Sequence, residues 1–140
     1  MIDKGKAHGV ERGMAILFEN VLVGKVVRVN KYTSLILLPR NPDSKLLVIT
    51  RDVGEGKGVK ARGLLVGERL DLVLEKVLTG EALDKGDLVL TAGDEDLPPE
   101  LLIGEVAEVV KIEGEVYQKA KVEPWVEVGD LETVFVLISR

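Results

Sequence analysis

Leu22-Val23-Gly24-Lys25-Val26-Val27-Arg28-Val29 and Leu102-Ile103-Gly104-Glu105-Val106-Ala107-Glu108-Val109 carry one pattern, position for position. Two apolar residues precede a glycine; a charged residue, a valine, a small or apolar residue, a charge and a valine follow. Each stretch reads as a strand, because valine is stiff at χ1 and packs well on a pleated surface. A glycine inside a strand weakens it unless the sheet bends there or another backbone comes close. Matching glycines therefore point to two sharply curved sheets, each able to curl into a small barrel. The flanks repeat too: Gly13-Met14-Ala15-Ile16-Leu17 resembles Gly86-Asp87-Leu88-Val89-Leu90, each after a charged turn. The competing explanation is chance recurrence in a chain rich in Val and Gly. Duplication accounts for more of the pattern.

The expected fold is all-β, with two small related β-barrels. Residues 1–67 form the first and 68–140 the second, with strand exchange between them allowed. Outward from the repeat, strands are expected at Met14–Phe18, Val21–Val29, Leu35–Leu38, Leu46–Thr50, Val59–Val66 and from Leu70 to Leu74. They resume at Leu88–Thr91, Leu101–Ile112, Glu115–Val122 and Thr133–Ile138. Turn sequences such as Asn41-Pro42-Asp43 separate them. Glu75–Lys85 reads as a connector with room for one helical turn, since Gly80 costs a helix about 1 kcal/mol. Pro98-Pro99 marks a loop.

Composition narrows the function. The 140 residues include 22 Val and 21 Leu, and aromatics make up 4%. Net charge is −5, with Lys and Arg scattered singly. A nucleic-acid partner is not expected, since neither a basic stripe nor a set of stacking aromatics is visible. Cysteine is absent, which excludes disulfides and thiolate chemistry. No apolar run approaches the ~18 residues of a membrane helix. Met1 is followed at once by polar, glycine-containing sequence, as expected of a chain cut from a longer protein.

The search for chemistry returns little. His8 is the one histidine and lies in a turn. A general base needs a nucleophile and an orienting partner, and none of Ser34, Ser44 or Ser139 sits in a nucleophile elbow. Asp94-Glu95-Asp96 lacks calcium-loop spacing. Gly54-Glu55-Gly56-Lys57-Gly58 lacks the ending of a phosphate loop and precedes a strand. Glu105 and Glu108 have opposite parity, which places them on opposite faces of a regular strand. No enzyme, metal or cofactor is expected.

Several motifs together resemble the extracytoplasmic domain of the MreC family of rod-shape-determining proteins. Lys4-Gly5, Gly9-Val10 and Gly13-Met14 are similar to its opening, and Leu22-Val23-Gly24-Lys25-Val26 to its first strand, with Thr33-Ser34 following. Gly63-Leu64-Leu65-Val66-Gly67 and Leu70-Asp71-Leu72 match its middle. Gly86-Asp87-Leu88-Val89-Leu90-Thr91-Ala92-Gly93 resembles a Gly-Asp-x-Val-x-Thr-Ser-Gly signature. Pro99, Gly104, Val106, Pro124, Leu131, Val134 and Val136 continue the match. Ala92 replaces the usual serine, Asp94-Glu95-Asp96-Leu97 replaces a glycine-rich loop, and Trp125 stands where a small residue is common.

The resemblance implies two barrels arranged as in chymotrypsin-like proteases but without catalytic residues. It implies a scaffold of the cell-wall elongation machinery, outside the cytoplasmic membrane, that self-associates as a dimer or filament. Its partners would be a class B penicillin-binding protein, MreD and RodA. The family's membrane helix and coiled coil are not in these residues, so membrane contact is implied only through such an N-terminal segment. The rival readings are a barrel module of a transport adaptor and a diverged double-barrel hydrolase built on His8 and a serine. For the partner surface, aromatics at turns are the candidates, because they offer large contact area at little entropic cost. Trp125 follows a proline, Tyr32 lies in the turn Asn30–Ser34, and Phe18 precedes a turn. Phe18 could equally plug its own barrel. Gly24 and Gly104 are the structural glycines.

Overall fold

The computed structural model describes residues 2–54, 58–69, 71–93, 97–125 and the strand at 135–137. A 3-10 turn, Lys6–His8, precedes β1 (Ala15–Phe18), β2 (Val21–Val29), β3 (Ser34–Leu37), β4 (Lys45–Arg51) and β5 (Val59–Glu68). Then come β6 (Asp71–Leu78), β7 (Leu88–Thr91), β8 (Leu102–Val110), β9 (Tyr117–Pro124) and β10 (Phe135–Leu137). The all-β expectation holds. No helix among the described residues is long and apolar enough to cross a membrane.

The strands run β10-β1-β2-β8-β7-β4-β5-β6-β9, and β9 pairs back onto β8. Strands β4 to β9 thus close a six-stranded barrel, while β1, β2, β3 and β10 form a second sheet beside it. This second sheet is open among the described residues. The two units meet where β2 runs parallel to β8 at Val21 and Leu102. Gly67, the boundary expected from the sequence, lies inside β5 opposite Leu72. Consequently β4 and β5, from the N-terminal half, are staves of the closed barrel.

Burial follows the strand alternation. Leu46, Val48, Ala61, Leu65, Leu74, Val77, Val89, Val106, Ala120 and Val122 fill the barrel. Val10, Met14, Ile16, Val23 and Val26 make the second core. The β1–β2 hairpin serves both, because Ala15, Leu17 and Leu22 join the barrel cluster. At roughly 25 cal/mol per Å² of apolar area, that shared layer fastens the units together.

The repeat is present in the hydrogen bonding itself. Gly24 opposes Ile16, and Gly104 opposes Val89, with a register shift directly after each. The Gly13 N–H donates to the Val26 carbonyl at 2.8 Å, and the Gly86 N–H to the Val106 carbonyl at 2.8 Å. Gly13 and Gly86 share a left-handed backbone, with φ of 95° and 93°. A further shift lies between Val26 and Arg28, and its counterpart between Val106 and Glu108. Chance recurrence of a sequence pattern does not reproduce paired bulges.

Two expectations are corrected. Residues 75–78 are not connector: β6 runs on to Leu78, and a register shift between Leu74 and Val77 keeps it paired to β9. Lys76 takes φ 63° at this irregularity, which a regular period-two pattern could not reveal. The bulge at Ala107 also resets strand parity, so Val106 and Val109 both face the core. Glu105 and Glu108 therefore share the outer face.

Gly24 and Gly104 have no room for a side chain. A Cβ on Gly104 would run into the Glu123 carbonyl of β9, and one on Gly24 into Ile36 and, at 2.8 Å, the Leu37 carbonyl of β3. At Gly104 the neighbours are all backbone, which cannot step aside as a flexible side chain would; at Gly24 the Leu37 backbone stands beside the Ile36 side chain. Gly104→Ala is expected to lower unfolding free energy by about 2 kcal/mol or more, and Gly24→Ala to act in the same direction. Gly54→Ala, with nothing within 4 Å, is the control and should stay within about 0.5 kcal/mol. Equal denaturant midpoints for all three variants would contradict the close approach.

Candidate interaction surface

Of the groups that a hydrolase would bring together, His8 and Ser34 are each engaged elsewhere. His8 Nδ1 accepts the Gly5 N–H at 3.1 Å, and its ring meets Tyr32 edge-on at 6.4 Å. Ser34 is buried, and its hydroxyl donates to the Lys4 carbonyl at 2.7 Å, tying the N-terminal segment to β3. Ser44 is buried in the turn before β4. Ser139 and Asp94-Glu95-Asp96 lie outside the described residues, as does the centre of the Gly54–Gly58 loop. Among the described residues no cluster of three or more His, Asp or Glu could hold a metal ion.

The three candidate aromatics separate. Trp125 is about half exposed at the end of β9, its backbone N–H donating to the Ile103 carbonyl at 3.1 Å. Tyr32 is also exposed, with Lys31 Nζ 5.3 Å from its ring centroid. Phe18 is half-buried and packs against the second core with Ile36 and Leu38. It is thus less exposed than the other two.

Two features escaped the sequence reading. The first is an ion network: Lys60 Nζ donates to Asp84 Oδ2 at 2.8 Å and to Asp87 Oδ1 at 2.9 Å. Asp87 is buried and accepts the Asp84 N–H at 2.9 Å. The network pins the turn before β7 to β5, and its members stand too far apart in sequence for spacing to show it. The hydrogen bonds to Asp84 and Asp87 raise the Lys60 pKa above the usual lysine range. The Lys60 hydrogen bond holds the Asp84 carboxyl below the usual carboxylate range. The second feature is a set of exposed apolar side chains around the outer barrel wall: Leu47, Leu78, Val110, Ile112, Val116 and Tyr117. Apolar residues flanking the Glu113-Gly114-Glu115 hairpin tip were its one available signal.

Among the described residues, His8 and Ser34 are held by separate partners, and several apolar side chains stand on the outside. The family model described as "Rod shape-determining protein MreC, barrel core" matches residues 1–138. The chain belongs to the MreC family. No curated protein matches it.

Solved MreC structures share the fold. MreC from Listeria monocytogenes is similar at a TM-score of 0.83 and 23% identity, over 99% of this chain and 67% of that one. MreC from Pseudomonas aeruginosa gives 0.82 and 26%, over 98% and 86%. A complex between Penicillin-Binding Protein (PBP2) and MreC from Helicobacter pylori gives 0.70 and 19%, over 94% and 82%. A structure described as the major periplasmic domain of the cell shape-determining filament MreC gives 0.75 and 17%, over 99% and 85%.

As an MreC barrel core, the protein has its signature loop built around Thr91. The Thr91 hydroxyl donates to the Pro98 carbonyl at 2.7 Å and accepts the Leu101 N–H at 3.0 Å, tying the end of β7 to the segment that leads into β8.

The ion network gives a pH-dependence with a defined sign. Lys60 has a raised folded pKa, so its contribution is complete below the unfolded value of about 10.4 and lost as pH rises beyond it. Asp84 has a lowered one, so its contribution is present above about pH 3.9 and lost as pH falls below. Lys60→Met should flatten the alkaline decline in unfolding free energy, measured by urea titration from neutral pH to about 11. An unchanged alkaline slope would contradict the network. Asp87→Ala should cost about 2 kcal/mol at neutral pH, because it leaves the Asp84 N–H without its acceptor and takes one of two carboxylates from Lys60.

Proposed function

We propose that this barrel core is a non-catalytic scaffold of the bacterial cell-wall elongation machinery, working outside the cytoplasmic membrane to maintain rod shape. The observation that carries the reading is the family match across residues 1–138, on a fold whose repeats coincide down to their bulges. The periplasmic description and the penicillin-binding-protein complex belong to relatives below 20% identity. They support the location and the first partner proposed here. By the same family reading, the partners are a class B penicillin-binding protein, MreD and RodA, and the chain also associates with itself.

Trp125, then Tyr32, are the proposed partner contacts. Both are exposed, and burying a large aromatic in a partner's pocket commonly dominates an interface. The hydrolase alternative loses support from the separate commitments of His8 and Ser34. The transport-adaptor alternative draws on no observation beyond the barrel itself.

The test is binding of the chain to the ectodomain of a class B penicillin-binding protein, measured by calorimetry. Wild type is expected to bind, and Trp125→Ala to weaken binding about tenfold or more with its melting temperature unchanged. Absence of binding would overturn the proposed partner. Lost stability with unchanged affinity would place Trp125 in the fold instead.

A further inference from the structure

Lysines scattered along the sequence meet at one end of the second sheet. Residues 2–8 lie along the β2–β3 turn. Ile2 and Ser34 exchange backbone hydrogen bonds at 2.9 and 3.0 Å, the Lys6 N–H donates to the Asn30 carbonyl at 2.8 Å, and the Ala7 N–H to the Lys31 carbonyl at 2.9 Å. A Cβ on Gly5 would overlap the Asn30 carbonyl, so the two segments touch backbone to backbone. The Tyr32 ring braces them, 6.4 Å from the His8 ring and 5.3 Å from Lys31 Nζ. Lys4, Lys6 and Lys31 are all exposed here. Exposed Arg12 and Arg28 flank them, one residue before Gly13 and two after Val26, which are hydrogen-bonded to each other.

The sign of this end is opposite to that of the molecule. Residues 2–12 and 28–34 hold five cations and two carboxylates, Asp3 and Glu11. The rest of the chain holds fourteen cations and twenty-two carboxylates, a net −8. Carboxylates outside the described residues belong to other connections: Glu55 to that between β4 and β5, and Asp94, Glu95 and Asp96 to that between β7 and β8. Glu127, Asp130 and Glu132 precede Phe135, which pairs with Leu17 at the far end of β1 from Gly13. Near an anionic surface such a molecule has one favourable orientation, with the cationic end down. Shape favours a flat partner as well. Lys6–Gly9 and Asn30–Tyr32 are adjoining exposed turns. The β3 edge at Ser34, where an acidic peptide could add as a strand, is taken by Ile2.

We propose that this end of the barrel core rests on an anionic phospholipid surface, with Lys4, Lys6 and Lys31 among the headgroup phosphates and the acidic barrel held away from the bilayer. The contact goes beyond the scaffold reading and needs none of its protein partners. Each lysine or arginine near an anionic bilayer is worth roughly fivefold in partition, so a surplus of three gives about a hundredfold. That orients a protein held near a membrane but is too little to anchor it.

The experiment is flotation of the chain with phosphatidylcholine vesicles containing about one third phosphatidylglycerol, against pure phosphatidylcholine vesicles, at low and near-physiological salt. Wild type is expected to float with the anionic vesicles alone, and less so as salt screens the charges. Lys6→Glu/Lys31→Glu turns this end net negative and should lower partition about a hundredfold, with the melting temperature unchanged. Lys45→Glu/Lys121→Glu makes the same change in net charge at exposed sites on β4 and β9 and should stay within about threefold of wild type. If the first variant melts early, Lys6→Gln/Lys31→Gln replaces it, with a loss of about twentyfold. No flotation at low salt, equal flotation with neutral vesicles, or equal losses in the two double variants would each overturn the proposal. Tighter binding to soluble polyphosphate than to the vesicles would assign this end to a soluble polyanion and overturn the lipid contact.

Discussion

Strand β8 is the constraint on which the architecture turns. It is hydrogen-bonded to β7 along one edge and to β9 along the other, and its first residue meets β2. Without β8 the barrel is an open sheet, and the two units lose their shared pairing. This depends on Gly104, where β9 comes so close that its Glu123 carbonyl occupies the place of a side chain. Closure removes the unpaired edges of the six-stranded sheet, which would otherwise template pairing with other chains.

Closure also packs the inside of the barrel. Its interior is filled with Leu, Val, Ile and Ala. Its polar side chains act structurally: Thr91 clasps a loop, Gln118 holds the carbonyls of Leu78 and Glu81, and Asp87 anchors Lys60. What remains for recognition is the wall. There Leu47, Ile112 and Tyr117, with Trp125 at the strand end, meet solvent in a chain otherwise rich in surface charge. A rigid frame displaying such faces suits a shape-determining family, for which position matters more than turnover.

The fold class and the repeat were legible because both are written in local pattern. Valine-rich strands, turn glycines and the Gly24/Gly104 correspondence need no tertiary information. Barrel membership was not legible, because β4 and β5 look no different from strands of the first unit; only their pairing with β6 and β7 assigns them. The bulges at Ala107 and near Lys76 were hidden too, since alternation reads every strand as regular. That is why Glu105 and Glu108 were separated and β6 was cut short. Of the candidate surface, Trp125 and Tyr32 stood out as aromatics at turns. The exposed Leu47 did not, because an outward leucine on a strand reads as core until the partner strands show which side is inside.

Native-state amide hydrogen exchange along β8 tests the closed-barrel account most directly. The account predicts that the interior amides of Leu102–Val110 exchange only through global unfolding, at the same rate as those of β4 and β5. The Val106 N–H, donated to the Asp87 carbonyl at 2.8 Å, should be among the slowest. Exchange along β8 as fast as along the outer strand β3, and insensitive to global stability, would mean the barrel is open there and would contradict the account.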